Sequence, residues 1–279
     1  MSAAVNRAPL TGVNVADVMS PGLLVCAPST ALRAVAGMMV VHEVHAVALA
    51  DASAGRPAVV TDLDLVGAAT AIDTADAAAV ASAPVTVAPS DPLMAAAAAM
   101  AAQGRSHVLV LESGSAHPVG MLSTLDIASA LAGRDARLTR TPRPGRPAIT
   151  TSRLDRVAVA SAMHLGIFAC PPDAGLREVA AILVDRRVHC VAVAVTPAPA
   201  SWKFITDVSV ARAAAKSRDV RAADLVGEAT WIAGDAALDE ATALMAGKGT
   251  SHLLVLGRHQ PLGVLSTLDV INVLAVGVG

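Results

Sequence analysis

Gly120-Met-Leu-Ser-Thr-Leu-Asp126 and Gly263-Val-Leu-Ser-Thr-Leu-Asp269 are near copies of one another, and their reading decides the fold of this chain. Each reads as a strand that runs straight into a helix, with Ser at the N-cap position and Asp three residues on. Ala58-Val-Val-Thr-Asp-Leu-Asp64 is a weaker copy, and Lys203-Phe-Ile-Thr-Asp-Val-Ser209 is weaker still. Upstream of every copy lies an apolar run that starts at a histidine: His45, His107, His189 or His252. Further upstream lies a helix opened by Leu32, Leu93, Leu176 or Leu238, preceded by a short strand-like start such as Cys26-Ala-Pro or Val87-Ala-Pro. The spacing predicts helices over Leu93 to Gln103 and Leu238 to Lys248, each stopped by a glycine, Gly104 or Gly249. Val108 to Leu111 and Leu253 to Leu256 read as buried strands, with hairpin turns after them.

The chain is therefore an internal repeat. Its histidines step by 62, 82 and 63 residues and its helix-opening leucines by 61, 83 and 62. Two repeats, a spacer and two more repeats account for both series. The expected boundaries are a flexible start at 1–12, repeats at 13–72 and 73–133, a linker at 134–154, and repeats at 155–217 and 218–279. The linker region carries Arg134, Arg137, Arg140, Arg143 and Arg146 among Pro142, Pro144 and Pro147, which suits a solvated extended connection.

Composition narrows the function. Of 279 residues 62 are Ala, and aromatics make up 1%, so no base-stacking surface exists for single-stranded nucleic acid. The net charge of −2 argues against a polyanion partner. The apolar run Leu93 to Ala102 falls short of the roughly 20 residues a membrane span requires. Met1 to Asn14 lacks the apolar stretch of a signal peptide, and three cysteines without a CxxC suit a reducing cytoplasm. Cys26 and Cys170 alternate with Val87 and Ile232 at one repeat position, so they read as small buried residues. No P-loop, zinc signature, nucleotide-binding glycine fingerprint or Ser/His/Asp arrangement is present, and the expectation is no catalysis and no covalent cofactor.

The strand-to-helix junctions carry the chemistry. A helix N-terminus attracts an anion through its N–H groups and its dipole, and Ser123 or Ser266 adds a hydroxyl. Asp126 or Asp269 can accept hydrogen bonds from a vicinal diol such as a ribose presents, and Gly120 or Gly263 permits close backbone approach. The same Ser-x-x-Asp spacing is also that of a capping box, which needs no ligand. Both roles are compatible.

From about Val13 to Val276 the chain resembles four tandem CBS repeats arranged as two CBS pairs, or Bateman modules. The residues that carry the likeness are the twin Gly-x-x-Ser-x-x-Asp segments, the Asp17-Val-Met19 lead-in and the four histidine-led strands. The resemblance implies an α/β (α+β) fold of β-α-β-β-α units in pseudo-twofold pairs. It implies an adenine nucleotide or related adenosyl ligand (AMP, ADP or ATP class) in clefts between paired repeats, with Ser at phosphate and Asp at ribose. Carried over, the apolar wall of the first cleft is Leu24, Val44 and Met121, and that of the second is Phe168, Val188 and Val264. The histidines, His107 and His252 among them, are implied to lie near phosphate, with a strand-edge structural role as the other reading. Thr61 and Asp64 keep part of the motif in the first repeat, where Asp62 adds an unfavourable charge. Ser209 and Lys203 depart from it in the third. The second and fourth repeats are thus expected to be competent. The implied function is a non-enzymatic cytoplasmic sensor acting on an unidentified protein partner, through a homodimer or an internal pairing of modules. The alternative is an interaction scaffold whose clefts have decayed.

Overall fold

The computed structural model of the chain describes residues 10, 12–42, 44–50, 57–69, 71–115, 117–133, 154–186, 188–193, 203–216, 220–258 and 260–275. The arginine-rich linker at 134–154 lies outside them except for Leu154, which is fully buried. Most of the start at 1–12 also lies outside them.

The first repeat follows a two-residue strand, β1 (Ser20–Pro21). It consists of β2 (Val25–Cys26), α1 (Leu32–His42), β3 (Ala46–Leu49), β4 (Val59–Thr61) and α2 (Asp62–Gly67). A short helix α3 (Ala77–Val80) leads to the second: β5 (Thr86–Val87), α4 (Leu93–Gln103), β6 (His107–Leu111), β7 (Pro118–Ser123) and α5 (Thr124–Leu131). After the linker come α6 (Val159–Ala162) and β8 (His164–Leu165). The third repeat is β9 (Ala169–Cys170), α7 (Leu176–Arg186), β10 (Cys190–Val193), β11 (Lys203–Thr206) and α8 (Asp207–Lys216). Then α9 (Ala222–Leu225) and β12 (Gly227–Glu228) precede the fourth: β13 (Trp231–Ala233), α10 (Leu238–Lys248), β14 (His252–Leu256), β15 (Pro261–Ser266) and α11 (Thr267–Ala275). All four units are β-α-β-β-α, and the fold is α/β.

The first helix of every unit buries residues at i, i+3, i+4 and i+7. Leu32, Val35, Ala36 and Met39 do so in α1, and Leu93, Ala96, Ala97 and Met100 in α4. That stripe lets a βαβ crossover cover the sheet, so the strands on either side of the helix pair in parallel. Gly104 and Gly249 stop α4 and α10 in the left-handed region, at φ 58° and 63°.

The chain divides into two compact units that do not follow repeat order. One contains 1–22, 85–166 and 230–279, and so holds the second and fourth repeats; the other contains 23–84 and 167–229, and so holds the first and third. In the former α10 packs on α5 and α11 on α4, and in the latter α1 and α2 pack on α8. Each unit has its own core, centred on Leu93, Met100, Leu238 and Ile271 in one and on Leu32, Leu65, Leu183 and Ile205 in the other.

Strands that precede one repeat complete the sheet of another. β1 pairs with β7 to give the order β1-β7-β6-β5, and β8 pairs with β15 to give β13-β14-β15-β8. Likewise β12 joins β11, and Ser82 bridges Val59. The lead-in 13–22, counted by sequence with the first repeat, therefore sits with the second. The reason is that β7 and β15 offer an edge to a passing strand. No helix among the described residues is long and apolar enough to cross a membrane.

Candidate functional site

The junction of β7 and α5 is a full capping box. Ser123 N–H and Oγ–H both donate to Asp126 Oδ2, at 2.8 and 2.7 Å, and Asp126 N–H donates back to Ser123 Oγ at 3.1 Å. β15 and α11 repeat this arrangement with Ser266 and Asp269. Thr61 and Asp64 repeat it in the first unit. In the third, Ser209 has replaced the acid, and Thr206 Oγ1 meets Ser209 Oγ at 3.1 Å. An ionised carboxylate only accepts, so each cap hydroxyl gives its proton to the acid and has none for a phosphate. In the first turn of α5, Thr124 N–H donates to Ser106 O at 2.9 Å and Asp126 N–H to Ser123 Oγ at 3.1 Å.

The glycines have a structural cause. A Cβ on Gly120 would meet Ser20 O at 2.5 Å and Met19 Sδ at 3.2 Å, and one on Gly263 would collide with His164 O. The close approach that these glycines permit is made by β1 and β8, strands of the protein itself. Ala58 and Lys203 hold the same place in the first and third units.

The four histidines do not share one position. His107 and His252 pair across the sheet with Ser123 and Ser266, whereas the residues opposite Thr61 and Thr206 are Ala46 and Cys190. His45 and His189 are thus one residue earlier, at the place of Ser106 and Ser251. Since successive strand residues face opposite sides, that offset gives them different surroundings. His45 Nδ1 meets Asp62 Oδ2 at 3.0 Å, and His189 Nδ1 meets Asp207 Oδ2 at 2.6 Å. Asp62 and Asp207 are buried, and each also caps its own helix through the following N–H. Thr124 and Thr267 stand where these acids do. Asp62, expected to disfavour phosphate, is instead the partner of a histidine. His107 and His252 meet the hydroxyls of Ser106 and Ser251, both at 3.0 Å.

Directly opposed residues on adjacent strands carry side chains on one face, about 5 Å apart. The second and fourth units therefore each gather an imidazole, a capped carboxylate and a helix N-terminus on one surface. Ser123, Asp126, His107 and Met121 are half-buried there, as are Ser266, His252 and Val264, while Asp269 is buried. His164 Nε2 contacts Asp269 Oδ1 at 3.0 Å. Nothing in the repeat pattern marks His164.

The wall residues fall in both compact units. Met121 and Val264 belong to the unit of the second and fourth repeats, and Leu24, Val44, Phe168 and Val188 to that of the first and third. Leu24, Val44 and Val188 pack against the core of their own unit. Phe168 is 42% exposed, with the Arg186 guanidinium 5.3 Å from its ring centre. Val44, His45, Asp62 and Arg212 line a pocket together with Met39 and Val40. Its volume of about 120 Å3 is well below the 300 Å3 or more that a nucleotide-sized ligand fills.

Cys26, Cys170 and Cys190 are buried and unbridged. Desolvation, reinforced by the Asp207 carboxylate, pushes the Cys190 thiol up to about 12. Burial likewise raises Cys26 and Cys170. Among the described residues no group of three or more His, Cys, Asp and Glu is placed to hold a metal ion.

The CBS domain family matches residues 77–133, the stretch containing Gly120, Ser123 and Asp126. No curated protein matches the chain. Among solved structures, a Methanocaldococcus jannaschii protein described as a candidate archaeal homolog of γ-AMPK aligns over 93% of this chain and 99% of its own, with a TM-score of 0.74 and 11% identity. An uncharacterized conserved protein from Pyrococcus horikoshii aligns over 94% and 100%, with a TM-score of 0.57 and 13% identity. A CBS domain protein from Pyrobaculum aerophilum, complexed with AMP, aligns over 41% of this chain and 89% of its own, with a TM-score of 0.37 and 25% identity. By the family match the chain contains a CBS domain at residues 77–133, and four units of the same β-α-β-β-α element order run along it.

Proposed function

We propose that the chain is a non-enzymatic regulatory protein that binds an adenosine-containing ligand at the junction of the second repeat. The observation that carries this reading is the register His107 opposite Ser123, which sets an imidazole beside the N-terminus of α5 and the Asp126 carboxylate. A phosphate would be met by the helix dipole and the His107 ring. A ribose diol would be met by the Asp126 carboxylate, whose Oδ2 the cap holds in place. Half-buried Met121 suits an apolar base. The first and third repeats lack the opposing histidine and the glycine. Their His45–Asp62 and His189–Asp207 pairs suit structural support, so the scaffold reading applies to them.

Ligand binding would bias the packing of the repeats, and a protein partner in the cytoplasm would read the change. Calorimetry on protein freed of co-purified ligand, with AMP, ADP, ATP, NAD and S-adenosylmethionine, tests the reading. Saturable binding of at least one is expected. Silence with all five contradicts the proposal.

A further inference from the structure

The helices of the first and third repeats enclose a pocket that the adenosyl reading does not use. It lies within the unit formed by those repeats, where α1 and the start of α2 meet α8. Met39, Val40, Val44 and Val208 give it an apolar lining. Two charged groups share that lining. Asp62, the first residue of α2, is buried; its Oδ1 accepts from Leu63 N–H at 2.9 Å, and its Oδ2 lies 3.0 Å from His45 Nδ1. Arg212, the sixth residue of α8, is exposed, and among the described residues it takes part in no hydrogen bond or ion pair. At the same helix place the other repeats have Gly67, Ser129 and Asn272, so the third repeat alone puts a cation there. Where α2 packs on α7 in the same unit, a Cβ on Gly67 would instead touch Val184 Cγ2 at 3.9 Å.

We propose that this pocket binds a small aliphatic α-amino acid. The Arg212 guanidinium offers two parallel N–H donors to a carboxylate. Asp62 accepts from an ammonium, since a carboxylate has about four lone-pair sites. One positive and one negative group match a zwitterion, whereas a simple aliphatic acid would set its charge against Asp62. The apolar lining receives the side chain. An apolar cavity of about 150 Å3 holds a benzene-sized molecule. The volume of about 120 Å3 here therefore suits a side chain such as that of valine and is too small for a nucleotide.

Calorimetric titration of the whole chain with L-alanine, L-valine and L-leucine tests this, beside 3-methylbutanoate (valine without its amine) and 2-methylpropylamine (valine without its carboxylate). Saturable binding of L-valine is expected, with each truncated compound weaker by roughly tenfold or more. Arg212→Gln alters an exposed residue, and it is expected to weaken L-valine by a similar factor while leaving AMP binding unchanged. No binding of any of the three amino acids overturns the proposal. So does a 3-methylbutanoate affinity equal to that of L-valine, or an Arg212→Gln protein that binds L-valine like wild type. The adenosyl reading is decided separately by nucleotide titration: a chain that binds L-valine and no nucleotide keeps this pocket and loses that site.

Discussion

Thr124 Oγ1 and Thr267 Oγ1 lie 2.8 Å apart, buried, joining the first residues of α5 and α11. One hydrogen bond thus links two elements far apart in sequence, beside the caps of both candidate sites. Removing one hydroxyl strands the other in the core. Thr124→Val or Thr267→Val is expected to cost about 1–3 kcal/mol, and the double variant less than the sum of the two. A urea-denaturation cycle measures this, and strictly additive losses would show that the hydroxyls do not pair.

The caps differ in a testable way. Ser123→Ala and Ser266→Ala each remove a hydroxyl that both donates to an acid and accepts a backbone N–H, at a cost of about 1 kcal/mol. Ser209→Ala removes only a neutral hydroxyl contact to Thr206, and a loss under about 0.5 kcal/mol is expected. Thermal denaturation ranks the three, and equal losses would contradict the role of the acid.

Gly263→Ala places a Cβ on the His164 carbonyl and must push β8 off β15. A loss of about 2 kcal/mol or more is expected, since the obstruction is backbone and cannot rotate aside. Gly104→Ala meets open space but keeps φ at 58°, and about 1 kcal/mol is expected. Chemical denaturation of both variants checks the order. A tolerated Gly263→Ala would remove the structural account of that glycine.

Cys190 gives a pH signature. Its folded-state pKa of about 12 lies above the ordinary 9.0, so the native protein holds the thiol proton more tightly than the unfolded chain does. This contribution is fully present below pH 9 and is lost as pH rises towards 12. Native protein is expected to resist thiol alkylation at pH 8, while unfolded protein reacts. Cys190→Ala should flatten the alkaline fall in stability. Rapid modification of native Cys190 would contradict its burial beside Asp207.

Much of this was legible in sequence where punctuation was strong. Pro92 and Gly104 bracket α4, and its apolar positions recur at helical spacing, so its limits agree with the reading. The caps were legible because Ser-x-x-Asp is a local pattern. The exchange of β1 and β8 was not, since a two-residue strand has no periodicity. The histidine offset left a trace: histidines step by 62, 82 and 63 where leucines step by 61, 83 and 62. That single-residue disagreement is the register difference between His45 and His107. The division into second-with-fourth and first-with-third repeats depends on which helices pack together, and similar repeats carry no label for that. His164 is exposed and outside every repeat pattern, so only its contact with Asp269 reveals it.

The central claim is that Asp126 receives a ribose diol, and comparing AMP with 2′-deoxy-AMP tests it most directly. One charge-assisted hydrogen bond of about 1.5–3 kcal/mol corresponds to roughly tenfold or more in affinity. Wild-type protein is predicted to bind AMP more tightly than the deoxy analogue by that factor, and Asp126→Ala to bind the two alike. Equal affinities in wild type, or a preference for AMP that survives in Asp126→Ala, would contradict the account.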